Sequence, residues 1–227
     1  MPDLADRLAE VDTRIADAAR AAGRDPSALT RIVVTKFHPA SVVDELYALG
    51  VRDVGENRQQ ELSEKVGEVG PKEGLVWHFI GQAQTNKARA IRAAASVVHS
   101  VDRARLADAL ESAGDGMPRL DVLLQVNLTD DQGRGGVAPA ALADLATHVA
   151  SCATLRVRGV MGVAPLDEAP AAAFARLADC SDRVRGIVPD ATWISAGMSA
   201  DFAEAIAAGA THLRIGSAIT GPRPTRR

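Results

Sequence analysis

Short apolar runs and helical patterns alternate along this chain. The runs are four to eight residues long, rich in β-branched residues and bounded by polar or glycine-containing turns, which is typical of buried strands. Between them, apolar residues recur at the spacing of amphipathic helices. The predicted strands cover residues 31–36, 51–55, 76–81, 96–100, 120–127, 155–161, 192–195 and 212–215.

One helix is predicted before the first strand, and one between each strand and the next. Leu4, Leu8 and Val11 share one face of the first helix, which Gly23 ends. The later helices are predicted at residues 40–49, 57–68, 85–94, 102–113, 139–151, 169–186 and 199–208, with a short turn after Gly216. Eight strand–helix units predict a (β/α)8 barrel of the TIM type with an additional N-terminal helix. A doubly wound open sheet is the alternative.

The composition fits one soluble domain over residues 1–227. Apolar residues make up 47% of the chain, enough for a sizeable core, and no low-complexity linker divides it. A net charge of −3 and only 3% aromatic residues argue against a nucleic-acid partner. No apolar run reaches the roughly 20 residues of a membrane helix, and no signal peptide is apparent, so a cytoplasmic protein is expected. Cys152 and Cys180 are expected to be buried free thiols.

Polar residues gather where the predicted strands end. In a barrel of this type, the loops after the strands build the functional face. Lys36 ends the first strand, and Arg214 and Gly216 mark the end of the last. A lysine in this position can be an ordinary charge whose ammonium reaches water. In the mouth of a barrel, however, partial desolvation favours the neutral amine, which is the form that attacks an aldehyde.

The turns after strands 7 and 8 are candidates for an anion site. Ser199 is predicted to cap the helix at 199–208, and Gly216 precedes a further short turn. Helix starts present N–H groups that attract phosphate, and a phosphate site after these two strands recurs in this fold. The alternative is a pair of ordinary strand-to-helix turns. A lysine across the mouth from a phosphate site is the arrangement that pyridoxal 5′-phosphate (PLP) needs, and a phosphosugar enzyme without this cofactor is the competing interpretation.

Ordered motifs along nearly the whole chain carry a family resemblance. They are residues 35–36 (TK), 55–57 (GEN), 77–81 (WHFIG), 99–102 (HSVD), 125–127 (QVN), 159–161 (GVM), 197–202 (GMSADF) and 214–216 (RIG). With these motifs in this order, the sequence resembles the pyridoxal phosphate homeostasis protein family.

The resemblance implies a barrel like the N-terminal domain of alanine racemase. It implies PLP held as a Schiff base on Lys36, with Arg214 close to the pyridine nitrogen. A cation there opposes protonation of that nitrogen and makes the ring a weaker electron sink. Asn57, which belongs to the expected set, can equally cap the second barrel helix. The cofactor-binding residues that the resemblance implies are Lys36, Asn57, Met198, Ser199, Arg214, Gly216 and Ser217.

The function predicted from this likeness is that of a carrier. Alanine racemase uses two bases, a lysine and a tyrosine from a second domain, whereas the only tyrosine of this chain, Tyr47, lies in the first predicted barrel helix. We therefore expect a monomer that sequesters PLP and delivers it to apo-enzymes without committed turnover. The alternative is a slow PLP-dependent amino-acid racemase or lyase that uses another base, such as His78 or His212. His78 lies within a predicted strand and fits a hydrogen-bonded core histidine as well.

Overall fold

The computed structural model, which describes residues 2–131 and 133–222, is a closed barrel of parallel strands. The strands pair in chain order, and the last pairs with the first through four residue pairs, from Thr30 with His212 to Val33 with Ile215. The predicted barrel is thus confirmed, because an open sheet would leave these two strands unpaired. The strands are β1 (Thr30–Val34), β2 (Asp53–Glu56), β3 (Val76–Phe79), β4 (Val97–Val101), β5 (Leu120–Gln125), β6 (Leu155–Met161), β7 (Trp193–Ser195) and β8 (His212–Ile215).

Helices cover the outside of the barrel. The first, α1 (Leu4–Ala21), begins with a capping box in which the Asp3 side chain accepts from the backbone N–H of Asp6. It packs against the last two helices of the described chain, Phe202–Ala207 and Ser217–Thr220. The others are α2 (Ala40–Ala48), α3 (Gln59–Val69), α4 (Ala88–Ala94), α5 (Ala104–Ser112), α6 (Leu142–Ala150), α7 (Pro170–Arg185), α8 (Phe202–Ala207) and α9 (Ser217–Thr220).

Apolar side chains pack in two separate layers. The larger layer fills the space between the strands and the helices, with residues such as Val54, Leu62 and Leu213 fully buried. The smaller one lies inside the barrel and contains Val97, Leu123 and Met161. This division follows from the alternation of side chains along each strand, which sends successive residues to opposite faces.

Two differences from the predicted boundaries affect the candidate site. β1 ends at Val34, so Lys36 lies in the turn after the strand and does not end it. Helix α8 begins at Phe202, and its N-cap is Asp201; Ser199 is not the cap, which corrects the prediction. The reason is local, because the Asp201 carboxylate accepts a 2.6 Å hydrogen bond from the N–H of Met198 and folds residues 198–201 into a turn.

β7 is the least paired strand of the barrel. It has three residues, and its ladder with β8 has one register pair, Ser195 with His212. Three residue pairs join it to β6.

Two further sequence predictions concern membrane-spanning helices and the cysteine thiols. Within residues 2–131 and 133–222, no helix is long and apolar enough to cross a bilayer. Cys152 and Cys180 are buried and free, as predicted.

Candidate cofactor site

Lys36 is half-buried at the C-terminal end of β1. The ladder continues through the preceding residue, since the N–H of Thr35 donates to the carbonyl of Gly55 at 3.0 Å. The Thr35 hydroxyl points to the helix layer, where it donates to Glu56 Oε1 at 2.5 Å. Lys36 follows in a turn that begins at Thr35, whose carbonyl accepts the N–H of His38 at 3.1 Å.

Helix α3 holds the residues on both sides of Lys36. Lys65 donates a 2.8 Å hydrogen bond to the carbonyl of Thr35, and Glu61 accepts the backbone N–H of Phe37 at 3.0 Å. Phe37 has a φ of 70°, a left-handed conformation that costs a bulky residue about 1–3 kcal/mol. The lysine therefore stands on a segment whose direction is fixed by contacts with a helix.

A buried ion pair lies directly beneath this segment. Lys65 Nζ and Glu56 Oε1 are 2.5 Å apart, with both side chains almost fully buried. Burial raises the pKa of Glu56, while the hydrogen bonds from Lys65 and Thr35 act in the opposite direction. Glu56 Oε2 is also buried and has no hydrogen-bond partner among the described residues. Such a pair is costly to break, because either partner alone would be an uncompensated buried charge.

Arg214 lies inside the barrel on β8, the strand next to β1. Its guanidinium donates to Ser195 Oγ at 2.6 Å and to the carbonyl of Gly162 at 2.9 Å. Its backbone N–H donates to the carbonyl of Gly197 at 3.0 Å, which joins β8 to the loop after β7. Burial lowers the pKa of Arg214 to about 10, and Asp201 opposes this shift. Arg214 is therefore a fixed cation at neutral pH.

The loop after β8 lies beside the end of β1. A methyl group at Gly216 would stand 3.6 Å from the Cβ of Val34, two residues before Lys36. Ser217, the first residue of α9, is exposed. In the loop after β7, Met198 is 40% exposed and Ser199 is partly exposed. The short turns at both loops thus leave polar groups at the rim of the barrel.

Asn57 follows β2 and is packed against the next loop. A Cβ at Gly81 would lie 1.8 Å from the carbonyl oxygen of Asn57, so only glycine fits there. Asn57 also lines a cavity of about 300 Å³ with Arg58 and Lys87. Arg58, and not Asn57, is the N-cap of α3, so the interpretation of Asn57 as a helix cap is wrong.

The expected cofactor-binding residues lie on one arc of the C-terminal face. Strands β7, β8, β1 and β2 are consecutive neighbours in the closed barrel. Each expected residue lies in one of these strands or in the loop that follows it. The members are Met198 and Ser199 after β7, Arg214 in β8, Gly216 and Ser217 after β8, Lys36 after β1 and Asn57 after β2.

Side chains that could serve as a second base are engaged elsewhere. The Tyr47 hydroxyl donates to the carbonyl of Glu73 at 3.0 Å, at the end of α2 and thus at the N-terminal face of the barrel. Both ring nitrogens of His78 have partners, Asp53 and His99. His212 is buried, and burial lowers its pKa to about 3.

Some residues around the site were not assigned a role from the sequence. The Glu56–Lys65 pair joins a strand to a helix, and Ser195 joins Arg214 to His99. Glu56, His99 and Ser195 could have been singled out as polar residues within buried strands, where each must find a partner. In the described part of the chain, no group of three or more His, Cys, Asp or Glu side chains could hold a metal ion.

Comparison with known proteins places this geometry in a family. Residues 11–224 match the protein family described as "alanine racemase, N-terminal domain". The pyridoxal phosphate homeostasis protein of Pseudomonas aeruginosa is 43% identical over 228 residues, which cover 98% of this chain and 97% of the relative. The Mycobacterium bovis protein of the same name is 40% identical over 99% of this chain and 94% of its own. The chain belongs to the pyridoxal phosphate homeostasis protein family.

A solved structure of this family carries the cofactor. PipY of Synechococcus elongatus PCC7942, solved with PLP bound, is 33% identical and superposes with a TM-score of 0.84 over 96% of this chain and 100% of its own. The family and the barrel that the sequence predicted are therefore confirmed. The names of the Pseudomonas and Mycobacterium relatives refer to homeostasis of PLP and to no reaction.

Proposed function

We propose that this protein binds PLP through Lys36 and keeps the cofactor available for other enzymes. The observation that carries the proposal is the placement of Lys36. Lys36 stands in the turn after β1, between two residues that α3 holds, and Arg214 and the loops after β7 and β8 belong to the adjacent part of the barrel. Family membership and the PLP-bound relative support the same cofactor.

The residues present fit the chemical groups of PLP. The amine of Lys36 forms a C=N bond with the aldehyde carbon, and one water molecule leaves. The hydroxyls of Ser199 and Ser217, together with N–H groups at the start of α9, are donors for the phosphate. The Arg214 cation is fixed by Ser195 and Gly162; next to the pyridine nitrogen it would oppose protonation of that nitrogen.

Reduction with borohydride tests the attachment site. We expect purified protein incubated with PLP to be yellow and to yield, after reduction and peptide mass mapping, one pyridoxyl group on the peptide that contains Lys36. Lys36→Ala should lose the adduct, whereas Lys72→Ala, which removes a lysine paired with Asp44 at the other end of the barrel, should keep it. An adduct on another lysine, or none after addition of PLP, contradicts the proposal.

We propose that the protein holds PLP and does not use it to turn over a substrate. Tyr47 is at the opposite face from Lys36, and His78 is hydrogen-bonded at both ring nitrogens. A second base opposite Lys36 would have to come from elsewhere. Assays for racemisation and elimination over the common amino acids test this point. Sustained turnover that Lys36→Ala abolishes contradicts the carrier role.

Delivery to apo-enzymes and a monomeric state complete the proposal. Loaded protein should activate an apo-enzyme in the presence of a trap that captures free PLP, whereas Lys36→Ala should not. Activation that disappears when the trap is added would mean that PLP passes through solution and not by transfer. Light scattering during gel filtration measures the oligomeric state, and we expect the mass of one chain, 23.7 kDa.

A further inference from the structure

A continuous chain of polar side chains crosses the interior of the barrel. Arg214 Nη1 lies 2.6 Å from Ser195 Oγ, and Ser195 Oγ lies 2.9 Å from His99 Nδ1. The other ring nitrogen of His99 is 2.9 Å from His78 Nδ1, and His78 Nε2 is 2.9 Å from Asp53 Oδ1. The chain thus begins next to the candidate cofactor site and ends on Asp53, the first residue of β2, at the N-terminal face.

When both imidazoles are neutral, the two ends of this chain fix the direction of every hydrogen bond in it. A guanidinium can only donate, so Ser195 accepts from Arg214 and directs its own O–H to His99 Nδ1. His99 must then carry its proton on Nε2 and donate it to His78 Nδ1. His78 in turn carries its proton on Nε2 and donates it to the Asp53 carboxylate, which can only accept. All groups are satisfied when both imidazoles are neutral and all donors face Asp53.

The surroundings favour this neutral arrangement. His99 and Ser195 have no exposed surface, and His78 has 1%. Burial, together with the nearby His78, His212 and Arg214, holds the pKa of His99 well below its ordinary value. The same barrel interior contains the apolar residues Val97, Leu123 and Met161, and apolar residues of similar size would fill it without the desolvation cost of polar groups.

We propose that His99 and Ser195 are positioning residues, which fix the Arg214 guanidinium against the pyridine nitrogen of PLP through a one-way chain of hydrogen bonds ending on Asp53. This inference rests on the proposed function, because it takes PLP as the neighbour of Arg214. Asp53 is partly exposed and lines a cavity of about 310 Å³ at the N-terminal face. Its charge therefore acts on the cofactor site from the opposite face of the barrel.

The first test needs no cofactor. Nitrogen-15 NMR of histidine-labelled apo-protein at neutral pH should show both His78 and His99 as neutral rings protonated on Nε2. Asp53→Asn keeps an oxygen acceptor but removes the charge, so it should shift the ring nitrogens of His78 and, more weakly, those of His99. A His78 imidazolium, an Nδ1–H tautomer at either ring, or no response to Asp53→Asn overturns the chain.

The second test uses PLP-loaded protein and a matched control. Ser195→Ala removes one hydroxyl and should weaken PLP binding about tenfold or more and shift the absorbance of the bound cofactor. Val97→Ala truncates an apolar side chain in the same barrel interior and should leave the absorbance unchanged. Equal effects of the two variants overturn the positioning role. If Ser195→Ala does not fold, Asp53→Asn replaces it, with a smaller absorbance shift expected and its absence contradicting the proposal.

These experiments distinguish failure of the positioning role from failure of PLP binding at Lys36. If borohydride mapping finds no adduct on Lys36, the proposed function fails, while the tautomers of the apo-protein still test the chain. If Lys36 carries the adduct and Ser195→Ala has the absorbance and affinity of the unmodified protein, the positioning role fails and the proposed function stands.

Discussion

The Lys65 ammonium donates a 2.8 Å hydrogen bond to the carbonyl oxygen of Thr35, the residue directly before Lys36. The same ammonium lies 2.5 Å from Glu56 Oε1 in the layer between the strands and α3. Helix α3 therefore fixes the backbone that presents Lys36 to the barrel mouth. The placement of the candidate Schiff-base lysine thus depends on a pair of charges on the other side of the sheet.

Removing the Lys65 charge should be costly. Lys65→Met leaves the Glu56 carboxylate buried without its counter-ion, and we expect the free energy of unfolding to fall by about 3–5 kcal/mol. The loss should also loosen the segment of Lys36 and weaken PLP binding. Urea denaturation of the apo-protein and a PLP titration measure the two effects.

A surface pair provides the control for this experiment. Lys72 lies 3.1 Å from Asp44, whose side chain is half exposed, and Lys72→Met should change the free energy of unfolding by no more than about 1 kcal/mol. The double variant Lys65→Met/Glu56→Gln should recover part of the loss. A Lys65→Met protein as stable as Lys72→Met would show that the buried pair does not hold the segment.

Acid should destabilise the fold through buried histidines. Burial holds the pKa of His99 well below its ordinary value and lowers that of His212 to about 3, whereas both titrate near 6.5 in the unfolded chain. Between pH 6.5 and about 3 the unfolded chain therefore binds more protons, so the free energy of unfolding falls as the pH falls. Each histidine contributes up to about 1.4 kcal/mol per pH unit.

Urea denaturation at successive pH values measures this slope. His212→Gln should reduce it by the contribution of one histidine, with the largest difference from the unmodified protein near the acidic end of the range. A stability that stays constant between pH 6.5 and 4 would contradict the assignment of neutral buried rings.

Gly81 should tolerate no side chain. A Cβ there would lie 1.8 Å from the carbonyl oxygen of Asn57, so Gly81→Ala must displace the backbone after β2 and should cost about 3 kcal/mol or more. It should also lower the affinity for PLP, since Asn57 belongs to the candidate site. Gly67→Ala is the control, because Gly67 lies on α3 with nothing within 4 Å of its added Cβ.

The two glycine variants should differ in sign. Gly67→Ala is expected to raise the free energy of unfolding by about 0.5–1 kcal/mol, since alanine loses less backbone entropy in a helix. Thermal unfolding of both variants is the measurement. Similar melting temperatures for the two would mean that the loop after β2 rearranges at little cost.

Bound PLP should stabilise the folded protein. At a free concentration one hundred times the dissociation constant, a ligand that binds only the folded state adds about 2.7 kcal/mol. Thermal unfolding with and without PLP should show this gain in the unmodified protein and little of it in Lys36→Ala. Pyridoxal, which lacks the phosphate, should stabilise less, because the groups at Ser199 and Ser217 then have no partner. Equal stabilisation by both compounds would contradict a phosphate site there.

The elements of the fold could be predicted because their signals are local. Periodicity located all eight strands to within a few residues, and β6 and β8 have the predicted bounds. The prediction for Ser199 was wrong because the helix begins two residues later, after a turn in which Asp201 accepts the N–H of Met198. That the seven residues hold PLP stays a prediction.

The side-chain contacts that position the site residues could not be predicted from the sequence. Glu56 and Lys65 belong to a strand and a helix, and nothing in their spacing shows that both turn into one layer. The path from Arg214 to Asp53 joins five strands, β8, β7, β4, β3 and β2. Such a path depends on the register and closure of the barrel, which cannot be deduced from the amino-acid sequence alone.

Arg214 also has a mechanical consequence for the barrel wall. Its guanidinium binds the carbonyl of Gly162, just after β6, and Ser195 at the end of β7, while its own backbone belongs to β8. The one side chain therefore fastens three successive strands across the seam where β7 and β8 share a single register pair. Separation of β7 from its neighbours at Ser195 therefore breaks these bonds as well, and we expect amide hydrogens at the end of this short strand to exchange more slowly than its single register pair with β8 would suggest.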